Sequence, residues 1–158
     1  MFKLLWPLFF LPALALAESV PKSNIELNGA IQESVLGSFC WHINQGGHFC
    51  LDNGLTSPKE PLTAPQNFSL ELKLPDQDKL RKVQYSFVPV DYEMIVDDGT
   101  ALNGYGWNTG MKALQELDLN EKLTISSNLK PGLYVLGVLA WWKNHNDAYH
   151  GFLIKISP

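Results

Sequence analysis

Phe68-Ser69-Leu70-Glu71-Leu72-Lys73-Leu74 alternates apolar and polar side chains without a break. A period of two belongs to an extended strand with one buried face, because successive side chains on a pleated backbone point to opposite sides. Pro75-Asp76 closes the run. The same beat returns at Val83, Tyr85 and Phe87, set against Lys82, Gln84 and Ser86 and closed by Pro89. It recurs at Leu123 and Ile125, and at Phe152, Ile154 and Ile156. Residues 133–142 are apolar throughout, which predicts a central strand buried on both faces. Helical spacing is confined to 111–119, where Met111, Leu114 and Leu117 predict a short helix or crossover. Residues 97–110 carry Gly99, Gly104, Gly106 and Gly110 and read as a long surface loop. Strands divided by Pro, Gly, Asn and Asp turns, without strand–helix alternation, predict an all-β antiparallel sandwich.

Residues 39–51 read as a hairpin. Phe39-Cys40-Trp41-His42-Ile43 and Gly47-His48-Phe49-Cys50-Leu51 flank Asn44-Gln45-Gly46, a three-residue loop with glycine at its left-handed place. That register sets Cys40 opposite Cys50, Trp41 opposite Phe49 and His42 opposite His48. Facing residues lie about 4.5–5.5 Å apart at Cβ, within reach of a disulfide. Both cysteines and both histidines then share one face, and Trp41 and Phe49 the other, which is expected to pack on the core.

Residues 1–17 have the form of a secretory signal: Lys3, an uncharged apolar stretch, then Ala15-Leu16-Ala17 before the polar Glu18. The stretch is shorter than the roughly 20 apolar residues that span a bilayer. The expectation is a secreted or periplasmic protein with one domain over 18–158, monomeric, with no membrane insertion after cleavage. The chain has only two cysteines, Cys40 and Cys50, and an exported protein is expected to pair them. A formal net charge of −4 without a basic cluster argues against a nucleic-acid partner.

Leu129-Lys130-Pro131-Gly132-Leu133-Tyr134 resembles the corner between strands E and F of immunoglobulin-like and fibronectin type III-like domains. The resemblance covers about the last thirty residues and implies an immunoglobulin-like sandwich, with a hydrogen bond from the Tyr134 hydroxyl to upstream backbone. Asp147-Ala148-Tyr149-His150-Gly151-Phe152 is similar to the end of small periplasmic copper-binding sandwiches. Those carry a histidine near the mature N-terminus, whereas Glu18-Ser19-Val20 has none.

Two functional expectations follow. The first is a non-catalytic exported module that binds a protein, peptide or glycan through end loops and exposed aromatics, at Trp142, Asn144, His145, Asn146, Tyr149, Tyr105 and Trp107. Adjacent Trp141 and Trp142 must face opposite ways; one can be core, and the other is either buried under a loop or exposed as part of such a surface. The second is periplasmic copper or zinc binding through His42, His48, His145 and His150; on the first reading no cofactor is needed. No G-x-S-x-G, H-E-x-x-H or phosphate-cradling loop occurs, so an enzyme is not expected.

Overall fold

The computed structural model describes residues 20–43, 47–95 and 114–158. The signal-like segment, the hairpin tip at 44–46, and the glycine-rich loop with Tyr105 and Trp107 lie outside these. Eleven strands are present among the described residues: β1 (Asn24–Leu27), β2 (Ala30–Glu33), β3 (Val35–Ile43), β4 (Gly47–Leu51), β5 (Leu62–Ala64), β6 (Asn67–Lys73), β7 (Leu80–Val90), β8 (Gln115–Glu116), β9 (Thr124–Asn128), β10 (Gly132–Trp142) and β11 (Asp147–Ile156). They form a four-stranded sheet, β2-β1-β6-β9, and a seven-stranded sheet, β4-β3-β11-β10-β7-β8, in which β5 also pairs with β11. The pairings are antiparallel except β5 with β11, which is parallel.

The strand expected from Phe68, Leu70 and Leu72 is β6, and all three residues are buried between the sheets. There they meet Ile25 and Ile125 of their own sheet and Val83, Leu136, Val138, Phe152 and Ile154 of the other. The opposite face of the larger sheet is buried as well. Leu133, Val135 and Leu139 of β10 pack there with Leu55, Val88, Tyr149 and Leu153. Residues 133–142 are therefore apolar because both faces of β10 are covered. Part of the outer cover is an irregular stretch in which Leu55, Thr56 and Ser57 are buried and the Thr56 hydroxyl donates to the Val35 carbonyl at 3.1 Å. The Tyr134 hydroxyl donates to the Lys130 carbonyl at 3.1 Å, so the expected corner bond is formed.

Three local expectations are corrected. Gln115–Glu116 pairs with β7 as a short strand, where a helix or crossover was expected. Pro89 does not end its strand, which continues to Val90. Among the described residues β8 pairs only with Gln84 and Tyr85, so no described strand pairs with that edge of β7 at Pro89, where a missing N–H is tolerated. The last strand begins at Asp147, which places Tyr149 and His150 in the sheet and outside any turn.

The cystine hairpin has the expected register. Cys40 faces Cys50, Trp41 faces Phe49 and His42 faces His48, and the disulfide is formed. A formed disulfide fits an oxidising, non-cytoplasmic compartment. No helix among the described residues is long and apolar enough to cross a membrane. Closing so short a loop restricts the unfolded chain by about 3 kcal/mol. Cys40→Ala/Cys50→Ala should lower unfolding free energy by that amount in urea titrations. A loss below about 1 kcal/mol would mean that cross-strand contacts alone hold the hairpin.

Candidate functional site

The hairpin β3–β4 and the turn between β10 and β11 meet at one end of the larger sheet. Asn146 joins them: its side-chain oxygen accepts the His42 N–H at 2.8 Å, and its carbonyl accepts the Trp142 N–H at 2.8 Å. His145, at φ 64°, takes the left-handed conformation that closes the turn. Trp142 is 2% exposed. Its indole N–H donates to the Pro75 carbonyl at 3.0 Å, and its ring meets Trp41 edge-on at 5.2 Å. Tyr149 is fully buried under the outer cover, and burial pushes its phenol pKa far up. Trp142, Asn146 and Tyr149 are thus interior and structural, which corrects their assignment to a binding surface. Asn144 and His145 are exposed at the turn.

The four histidines do not converge. His150 is 0% exposed and points into the core between the sheets, with Nδ1 3.2 Å from the Ser34 hydroxyl. Among the described residues no three His, Cys, Asp or Glu side chains form a metal-binding group. His42 and His48 do come together on the exposed outer face of the hairpin, with His42 Nδ1 3.3 Å from His48 Nε2.

The outer face carries a row that sequence reasoning did not assemble. Lys82, Trp141, Asp147, Cys40 and Cys50 are successive cross-strand partners on β7, β10, β11, β3 and β4. The Lys82 ammonium lies 5.5 Å from the Trp141 ring, a cation–π contact that also covers the half-buried indole. Burial raises the Asp147 carboxyl pKa, opposed by a hydrogen bond from the Cys40 backbone and by the nearby charge of His48.

The inner face of the hairpin runs from core to solvent. Phe39 is buried and Trp41 half-buried, but Phe49 is 54% and Leu51 41% exposed. The Trp41 side packs on the core as expected. Phe49 does not: it leans on Phe39, ring centres 5.8 Å apart, and leaves most of its surface in water. β4 ends the sheet, so its outer backbone edge has no partner strand among the described residues. A shallow cavity of about 360 Å³ beside it is lined by Phe39, Leu51 and the cystine, with the carboxylates of Asp52 and Asp147.

Among the described residues the two edges of the larger sheet differ. β8 is two residues long and its Glu116 pairs with Lys82 at 3.6 Å, so it is short and charged, the common way of blunting an edge. β4 has neither lysine nor proline and exposes two large apolar side chains. Phe49 and Leu51 were the residues missed. Their signal was the length of the sheet beyond its cover: the smaller sheet has only four strands against the larger sheet's seven.

No family model, no curated protein and no solved structure matches this chain.

Proposed function

We propose that the chain is an immunoglobulin-like, non-catalytic exported interaction domain that receives an extended segment of a partner protein along β4. The observation that carries this is the open β4 edge with Phe49 and Leu51 standing in solvent on alternate positions. An extended peptide can add main-chain hydrogen bonds to such an edge, with alternate side chains seated on the apolar pair. Asp52 and Asp147 beside the cavity, with no Lys or Arg in its lining, favour a segment that carries lysine or arginine. The immunoglobulin-like reading is supported by topology. β6 and β9 lie together in one sheet and β7, β10 and β11 in the other, as strands B and E lie against C, F and G. The Tyr134 corner supports the same reading.

The test is an amide chemical-shift titration with a synthetic peptide of alternating valine and lysine. Shifts should concentrate on Gly47–Leu51 and spare β8, and Phe49→Ser/Leu51→Ser should weaken binding about tenfold, equivalent to about 1.4 kcal/mol. No shift at millimolar peptide, or binding that the double variant leaves intact, would overturn the proposal. So would concentration-dependent dimerisation abolished by the same variant, which would give this edge to a second copy of the chain.

A further inference from the structure

We infer that His42 and His48 form a two-imidazole site for a divalent first-row transition metal, Cu(II) ahead of Zn(II). The two residues are directly opposed on β3 and β4, both exposed, with His42 Nδ1 and His48 Nε2 3.3 Å apart. Two nitrogens each about 2.0–2.1 Å from a tetrahedral metal are separated by about 3.3–3.4 Å. The bite of the pair therefore matches a tetrahedral metal as it stands. The separation of roughly 2.8–3.0 Å between adjacent nitrogens of a tetragonal Cu(II) site is reached by small rotations of the two exposed rings, without backbone movement. A single N–H···N contact now fills the gap. When a metal enters, the shared proton moves through solvent to the other nitrogen of its own ring, and both lone pairs become ligands.

The site is held in place from two sides. The Cys40–Cys50 bond fixes the register two residues back on each strand. Asn146 holds the His42 backbone N–H at 2.8 Å. Little ordering is left to be lost on binding, which favours chelation by only two side chains. Asp147 lies on the same outer face, as the cross-strand partner of Cys40. No third His, Cys, Asp or Glu among the described residues joins the pair. Imidazole donors suit Cu, Zn and Ni, and Cu(II) binds a given nitrogen site most tightly of these. Phe49 and Leu51 project from the other face of the hairpin, so the Phe49→Ser/Leu51→Ser variant that tests the peptide edge leaves both imidazoles in place.

Calorimetric titration of the tag-free, disulfide-intact protein with CuCl2 at neutral pH tests the site, with electron paramagnetic resonance of the copper complex. The expected result is one equivalent bound with micromolar affinity and hyperfine coupling to nitrogen. His42→Asn and His48→Asn should each weaken binding about tenfold or more, and His145→Asn should leave it unchanged. Because both ligands are exposed, the variants should keep the wild-type melting temperature without metal. Absence of uptake at about 100 µM copper, well above the expected affinity, overturns the inference. So does one-equivalent binding that persists in His42→Asn/His48→Asn, or an equal loss in His145→Asn.

Discussion

Gly151→Ala should cost the domain about 4 kcal/mol or more, among the largest effects expected of one methyl group. Gly151 sits in the middle of β11, opposite Gly137 of β10. Its outer side is occupied by the backbone of the crossing segment: a Cβ built there would land on the Thr56 carbonyl group, with the Thr56 hydroxyl 3.1 Å away. A flexible side-chain tip could swing aside, but a buried carbonyl cannot. Either β11 bends away from β3 and β10, or the segment around Leu55 lifts and exposes Tyr149 and Leu153. Ordinary overpacking costs roughly 1–3 kcal/mol because neighbours shift; here the neighbour is main chain on both sides. In urea the midpoint should fall by about 2 M. Gly29→Ala is the informative comparison. Gly29 has φ +82° but nothing within 4 Å of a new Cβ, so it should lose only the left-handed backbone penalty of about 1–2 kcal/mol. If Gly151→Ala were no worse than Gly29→Ala, the segment 52–58 would not cross the sheet as described.

That crossing marks the limit of what the sequence shows. The strands with one buried face were legible, because Phe68, Leu70 and Leu72 can alternate in only one way. β10 was legible as a doubly buried strand, but for that reason its two faces could not be told apart. Trp141 and Trp142 had to point in opposite directions, yet nothing local says which direction is the inter-sheet core. The answer depends on Pro75 and Trp41, which meet Trp142 from distant parts of the chain. Leu55-Thr56-Ser57 has no period at all, because it buries itself by lying across a sheet and makes no ladder of its own. The hairpin register was legible to the residue, since loop length and two cysteines fix it. Exposure of Phe49 was not: alternation assigns a side chain to a face and cannot say how far the opposing sheet reaches. The same gap explains Tyr149 and His150. Their polar neighbours 143–147 read as a turn, and the ladder with β10 that begins at Asp147 is a tertiary fact.

Stability should fall steeply with acid because of His150. The residue is fully buried, and burial alone depresses its pKa from 6.5 to about 3. Its surroundings explain why the core holds it neutral. The Ser34 hydroxyl oxygen accepts the Ser23 N–H at 3.0 Å, and the same hydroxyl shares a hydrogen bond with His150 Nδ1 at 3.2 Å. Nε2 is buried without a hydrogen-bond partner among the described residues. A second proton would place a charge in the core where no carboxylate acts on it. In the unfolded chain the same imidazole titrates freely. Below pH 6.5 the unfolded state therefore binds a proton that the native state refuses, and stability declines as pH falls until about 3, where both states are protonated. The slope is about 1.4 kcal/mol per pH unit, and the whole window amounts to roughly 5 kcal/mol. That is comparable to the entire stability of many domains, about 5–15 kcal/mol. Carboxylates complicate the lower half of the window: Glu26 is held below its usual pKa by a hydrogen bond and the charge of Lys73, so it too favours the unfolded state once acid protonates it. Asp147 works the other way, because burial raises its pKa and its protonation favours the native state. The His150 share, about 2 kcal/mol between pH 6.5 and 5, is therefore the difference between the wild type and His150→Gln. Urea unfolding at successive pH values should show stability falling with acid more steeply in the wild type than in His150→Gln by that amount, whatever that variant's absolute stability. Equal slopes in the two proteins over this range would mean that the buried ring accepts a proton without opening the core.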